Sequence, residues 1–396
     1  MKSLKKINAV LIGGPGFEPY QTLYRIAIPA FEREYRVKVN ILGLYPHPEL
    51  NRIKDTLNGK EDIDVISSHT SFLRSYSHLY EDLSPYLGDL YQDLLDPLKK
   101  SCEVDGKILL MPRFIDVRSL HYRKDLVQAP PKTWDELVEI AKRVNNPPRI
   151  YGFAMVGYGH ALVGSFMEIL HSFGGRIADE ENGECLFASS EGVDALSYIV
   201  DLYRKHRVTP PETPEMFYNH VSEVFSSGRV AIIFEWPGWD GLHNDPKRSK
   251  ISGLFDLDLY PVGKSGRYVY GGSHGFSIFK GSKNPELAAE LIRFLVSIEN
   301  QVAEAEAEGF LPSRKSSWDL LVRRARDRGD MFQIKRLEIY RRTIDESYLP
   351  VRIKNWRRFT EIVWPELNVT LRGHKSPREA LEYAKKKVVR VIGGCW

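Results

Sequence analysis

Apolar and polar positions follow two rhythms along the chain, a period of two and a period near 3.6. A short apolar run over residues 7–13 reads as a strand, and Leu23, Ile26, Ala27, Ala30 and Phe31 then fall on one helical face. Val37, Val39 and Ile41 share one side of a second strand over 37–43. Leu50, Ile53 and Leu57 mark another helix, and residues 63–67 a third strand. This strand–helix repetition is the pattern of a parallel sheet with helical crossovers, so the expected class is α/β. Ligands of such sheets sit beyond the carboxyl ends of the strands. That rule singles out Gly14, Phe17 and Glu18 after the first strand, Tyr45 after the second, and Ser68 and His69 after the third.

From Lys107 the rhythm changes. Strands over 107–111 and 117–122 are separated only by Pro112-Arg113-Phe114-Ile115-Asp116, as where a chain crosses between domains, which makes Arg113 and Asp116 candidate site residues. Thr133-Trp134-Asp135-Glu136 is a capping box that opens a helix over 134–144. A strand over 151–156 leads into a glycine-rich loop that carries Tyr158 and extends to Gly164, followed by helices over 166–173 and 191–205. A helix closing at Gly228 precedes a strand over 230–234, which runs into Glu235-Trp236-Pro237-Gly238-Trp239. Extended segments at 257–261 and 268–271 are followed by the glycine-rich segment 271–275, a strand over 276–279 and a helix over 285–297. The rest is mainly helical, without internal repeat or low-complexity linker.

With 396 residues, 42% apolar and 27% charged, the chain has the composition of a globular protein of two or three domains. Basic residues exceed acidic ones by four, too few to imply nucleic acid or an anionic membrane. The stretch 323–358 holds twelve basic and five acidic residues, but Leu337, Ile339, Tyr340 and Ile344 interleave them in helical rhythm, as on the wet face of packed helices. The longest uncharged stretch, 150–167, is interrupted by four glycines and reads as strand and loop, not as a membrane span. MKSLKK followed by an apolar run has the look of a leader peptide, yet no small-residue cleavage site follows, so this run is read as the first strand. Three cysteines allow one disulfide at most and form no CxxC pair.

Several chemistries can be weighed on spacing. Gly13-Gly14-Pro15-Gly16 fits neither GxxxxGK[ST] nor GxGxxG, so it reads as a ligand-facing turn and not a nucleotide loop. Gly271-Gly272-Ser273-His274-Gly275 matches the GxSxG of hydrolases, which works only on a strand-to-helix turn. Here a strand follows, so Gly272, Ser273 and His274 are better read as a strand end meeting a polar ligand. Glu235, Trp236 and Trp239 place a carboxylate beside two indoles, the combination that stacks on the C–H faces of a sugar and pairs with its hydroxyls. The bland alternative is that the indoles are core. The histidines show no HExxH or other metal spacing, so no metal site and no cofactor are expected.

A series of segments resembles a known family. These are Ala30-Phe31-Glu32-Arg33-Glu34-Tyr35, Asp64-Val65-Ile66 with Leu83-Ser84-Pro85-Tyr86-Leu87, Gly106 through Pro112, Leu120-His121-Tyr122-Arg123-Lys124-Asp125-Leu126, and Pro131 through Leu137. Gly228 through Ile232, Gly271 through Glu286 and Gly309-Phe310-Leu311-Pro312-Ser313-Arg314 continue the series. In this order they resemble the extracellular solute-binding proteins of ABC importers, in the broad family of sugar and oligosaccharide receptors. Arg113, Phe114 and Arg123 depart from that family's usual residues. The resemblance implies a two-lobed periplasmic-binding-protein-like fold with an interlobe ligand cleft. The N-terminal lobe would comprise 1–112 and 268–317, and the C-terminal lobe 113–267 and 318–396. Hinge closure would capture a carbohydrate, neutral or anionic, and present it to the transmembrane subunits of an ABC permease, without catalysis. The protein would act as a monomer, periplasmic or extracellular and membrane-associated, after loss of a leader.

Overall fold

The computed structural model describes residues 5–13, 20–44, 62–179 and 182–395. The chain divides into two compact units, one of Met1–Asp116 and Gly272–Ile334, the other of Val117–Gly271 and Lys335–Trp396. The first two crossings thus fall four residues beyond the expected ones. The third falls after the helix Lys315–Asp327, which buries Ser317, Trp318, Leu321 and Ala325 in the first unit.

In chain order the strands are β1 (Lys5–Leu11), β2 (Val37–Leu44), β3 (Val65–His69), β4 (Glu103–Val104), β5 (Lys107–Ile108), β6 (Met111–Val117) and β7 (Ser119–Arg123). They continue with β8 (Tyr151–Ala154), β9 (Val230–Glu235), β10 (Phe255–Asp258), β11 (Val269–Ile278), β12 (Leu311–Pro312) and β13 (Tyr348–Pro350).

The first unit is built on a sheet in the order β12-β6-β11-β3-β1-β2. β1 runs parallel to both β2 and β3, and Ile7, Ala9, Val10 and Leu11 enter the core. The crossover from β1 to β2 is the helix Ile28–Tyr35, which buries Ile28 and Phe31 and ends at Arg36 in the left-handed region (φ 52°). β11 is antiparallel to β3, with His274 opposite His69. The helix expected around Leu50–Leu57 lies outside the described residues.

The second unit carries a four-stranded sheet, β10-β7-β9-β8, with β8 parallel to β9 and the other pairs antiparallel. The helix Trp134–Val144 has the predicted bounds. Thr133 Oγ1 accepts from the Glu136 amide (3.1 Å), the Glu136 carboxylate accepts from the Lys132 amide (2.7 Å), and Trp134, Leu137, Val138 and Ala141 are buried. Cys185 and Cys395 form a disulfide that ties down the end of the helix Pro377–Ile392, while Cys102 is free and buried in the first unit.

Two glycine-rich segments depart from the sequence expectation. The stretch read as a loop up to Gly164 is the opening of one long helix, Gly159–Ser172. Its Gly164 lets the ring of Tyr270 approach to where a Cβ would stand 3.0 Å away. The segment 271–275 is no turn either, since it lies inside the continuous strand β11. A Cβ at Gly275 would meet the Met111 carbonyl oxygen at 2.4 Å, so this glycine serves strand packing. In the basic stretch, Arg341 pairs with Asp345, Arg342 with Glu346 and Lys335 with Asp256, as expected of a wet helical face.

Candidate functional site

In the first unit three adjacent strands carry one polar row. His69 ends β3, His274 lies on β11 and Asp116 lies on β6. The two imidazoles face each other with centroids 4.7 Å apart, and His274 Nε2 stands 3.7 Å from Asp116 Oδ2. His69 Nδ1 is 2.6 Å from the Ser71 hydroxyl, which fixes the ring. Burial pushes the Asp116 carboxyl up to about 8, against the opposing pull of the Arg113 charge. Gly272 makes room for this row, because a Cβ there would meet His69 Cε1 at 2.4 Å.

Other candidates of this unit turn out to be internal. Ser273 is fully buried, its hydroxyl donates to the Phe114 carbonyl (2.5 Å) and its amide donates to Thr70 Oγ1 (3.1 Å). It sits mid-strand with its hydroxyl committed, so it is neither a nucleophile on an exposed elbow nor a ligand contact. Ser68 is also buried, 3.0 Å from the Tyr80 hydroxyl. Arg113 needs the clearest correction. It is 1% exposed, its Nε donates to both Glu304 oxygens (2.8 and 2.9 Å), and Tyr20, Phe114 and Phe310 surround the guanidinium at 5.3–5.9 Å. Its charge is spent within the unit. Gly14, Phe17, Glu18 and Tyr45 lie outside the described residues.

In the second unit Glu235 is likewise withdrawn from any ligand. One of its oxygens accepts from the Trp236 amide (2.9 Å) and the other is 3.2 Å from His243 Nε2, whose Nδ1 is 2.8 Å from the Ser226 hydroxyl. Ser226, His243 and Glu235 thus have the order of a hydrolytic triad. All three are buried, however, so the hydroxyl has no approach for a substrate. The chain instead ties the end of β9 to the helices Tyr218–Ser226 and Trp239–Asn244.

Trp236 itself is half-buried. Tyr218 and Tyr270 meet it edge-on at 5.4 and 5.8 Å, and the Arg118 guanidinium lies 5.4 Å from its ring. Arg118 in turn binds Glu168 (Nη2 to Oε2, 2.6 Å), whose other oxygen accepts from the Tyr270 amide (2.9 Å). Burial works against the Arg118 charge, but the Glu168 carboxylate outweighs it and holds the guanidinium protonated. Trp239, also half-buried, opens its helix after Gly238, which adopts φ 96°. Tyr158 is 47% exposed, its ring 4.6 Å from Trp364. Sequence reasoning missed Glu168 as the partner of Arg118, and Tyr218, Tyr270 and Trp364 as the setting of these rings. The one visible signal was Glu168, a lone carboxylate in the apolar run Phe166-Met167-Glu168-Ile169-Leu170.

The sequence pattern described as bacterial extracellular solute-binding protein matches residues 27–320. The chain belongs to this family. Among its relatives a probable ABC transporter-binding protein of Deinococcus radiodurans is 28% identical over 53% of the chain, and the match spans about half (52%) of that relative. Maltose-bound T. maritima MalE3 superposes with a TM-score of 0.83 at 27% identity, over 98% of this chain and 99% of that one. A Thermotoga lettingae solute-binding protein bound with α-D-tagatose gives a TM-score of 0.82 at 21% identity, over 98% and 100% of the two chains. The second likeness is one of fold. No helix among the described residues is long and apolar enough to cross a membrane.

Proposed function

We propose that this solute-binding protein captures a neutral carbohydrate for an ABC importer, as a monomer outside the cytoplasmic membrane, and catalyses no reaction. The observation that carries the reading is the half-buried Trp236, held edge-on by Tyr218 and Tyr270. A rigid indole of this kind offers a face to sugar C–H groups at little entropic cost. Trp239, half-buried, and Tyr158, exposed, are further aromatic candidates of the second unit, and in the first unit the imidazoles of His69 and His274 are able to hydrogen-bond. The likeness to maltose-bound MalE3 supports the solute class. Arg113 and Arg118 are each consumed by a buried carboxylate, which favours a neutral sugar over an anionic one. Capture would bend the chain where it crosses between the units, and the closed form would be presented to a permease.

Thermal-shift screening of maltose, maltotriose and tagatose, followed by calorimetry on the best ligand, tests the reading. Trp236→Ala should weaken the bound sugar by about 1–3 kcal/mol, or roughly five- to 150-fold. Unchanged affinity, with a lowered melting temperature, would assign Trp236 to the core. Scattering should show a smaller radius of gyration with sugar bound.

A further inference from the structure

From the row on the first unit's sheet we infer that His69, Asp116 and His274 form a binding site for a divalent transition-metal ion of the zinc class. No two of these residues are close in sequence, and no spacing motif announces them. The sheet brings them together: β6, β11 and β3 are neighbours, and His274 is the direct cross-strand partner of His69. One ring nitrogen of each histidine and one oxygen of Asp116 all lie within 4.8 Å of one another.

The donor set suits the ion. Two imidazoles and a carboxylate are ligands of borderline-soft cations such as Zn²⁺, Co²⁺ and Ni²⁺, and are a poor match for the all-oxygen shell that Ca²⁺ or Mg²⁺ prefers. A tetrahedral ion about 2.0–2.1 Å from each donor separates its ligands by about 3.3 Å. His274 Nε2 and Asp116 Oδ2, at 3.7 Å, already approach that spacing. With the His69 ring held by Ser71, the longer edges, none above 4.8 Å, would shorten on metal binding by rotation of the Asp116 and His274 side chains. Ser71 holds the His69 ring in place, its amide donating to Nδ1 (3.2 Å) and its hydroxyl 2.6 Å from the same nitrogen. Phe72 and Phe114 pack against the two imidazoles at 6.2 and 5.3 Å and exclude water from that side. The side chains of Asp116 and His274 keep 16% and 19% exposure, an entry path and room for a fourth ligand from water or solute.

The site stands on this geometry and not on the carbohydrate reading. Metal uptake is therefore measured without sugar, and sugar binding with chelator present, so either can fail alone. Chelator-treated protein should take up one Zn²⁺ per chain at micromolar metal in competition with a chromophoric chelator, and Co²⁺ should give the visible bands of a low-symmetry nitrogen–oxygen site. His69→Ala and His274→Ala should each weaken uptake by about tenfold or more, and the double variant should abolish it. Gly272→Ala keeps all three ligands but intrudes on His69, and should weaken uptake as well. On the unaltered protein, Zn²⁺ should shift the imidazole Cε1–H resonances of two of the eleven histidines. Absence of uptake, uptake that persists in the double variant, or shifts at other histidines would overturn the assignment.

Discussion

The disulfide between Cys185 and Cys395 spans 210 residues of sequence and lies wholly within the second unit. Its removal is a well-defined perturbation, because the helix Pro377–Ile392 that it tethers keeps its own apolar stripe. Ala380, Leu381, Ala384 and Val388 form that buried stripe. The native packing should therefore survive reduction, and the loss should fall mainly on the unfolded chain, which gains freedom when a loop of this length opens. The loop-closure relation gives about 5 kcal/mol for such a loop, at the upper end of what disulfides contribute, so about 2–5 kcal/mol is expected. For a unit of this size each kcal/mol moves the melting temperature by about 2–4 °C, which predicts a drop of roughly 4–20 °C. The assay is calorimetry with and without reductant, and on the Cys185→Ser/Cys395→Ser variant, alongside thiol counting in denaturant. One thiol, that of Cys102, should titrate before reduction and three after. Three thiols in unreduced protein would refute the pairing. Complete reduction without a change in melting temperature would refute the loop argument. A disulfide of this kind also suits an oxidising compartment, in keeping with the family's extracellular setting.

Two further outcomes follow from buried charge. Glu304→Gln leaves the Arg113 guanidinium unpaired in a site 1% exposed, and should cost about 3–5 kcal/mol in denaturant unfolding, whereas Arg113→Met/Glu304→Leu together should recover most of it. A double variant as unstable as the single one would show that packing, not charge, sets the cost. His171 is pushed down to about 4 by burial, with Arg176 adding repulsion, so its neutral form stabilises the fold fully above its ordinary value near 6.5. That contribution, at most about 3 kcal/mol, is lost as pH falls from 6.5 towards 4, and His171→Asn should flatten the acid limb of a stability–pH curve over that window.

What the chain reveals of itself depends on how local the physics is. The helix Trp134–Val144 is legible because its cap, its first-turn acids and its apolar stripe lie within a dozen residues. Glycine is ambiguous in a way that spacing cannot resolve. At 157–164 and 271–275 it looks like turn chemistry, but Gly164, Gly272 and Gly275 are small so that Tyr270, His69 and the Met111 carbonyl can come close. Charge pairing is the least legible of all. Arg113 meets Glu304 across 191 residues, so an arginine at a domain crossing looks like a ligand group until the sheet brings the helix Ile298–Glu308 onto it. Glu235 misleads for the same reason, since His243 lies on a helix whose position the sequence does not disclose. The polar row of His69, Asp116 and His274 arises only from strand order.

The same pairing of charges bears on how a solute would be recognised. Each unit buries an arginine against aromatic rings and neutralises it locally, Arg113 with Glu304 among Tyr20, Phe114 and Phe310, and Arg118 with Glu168 beside Tyr218 and Trp236. A desolvated guanidinium over a ring contributes about 2 kcal/mol, enough to hold that ring in one orientation. On the proposed reading, Arg118 would act on a bound molecule through Trp236 and not by its own hydrogen bonds. Glu235 would act in the same indirect way, because its carboxylate holds the Trp236 amide while His243 and Ser226 hold the carboxylate. Ionic groups that a sequence reading would aim at the solute thus form the rigid backing of an aromatic surface. Recognition by such a surface depends on shape, C–H contact and neutral hydrogen bonds, and those are the terms in which one sugar is told from another.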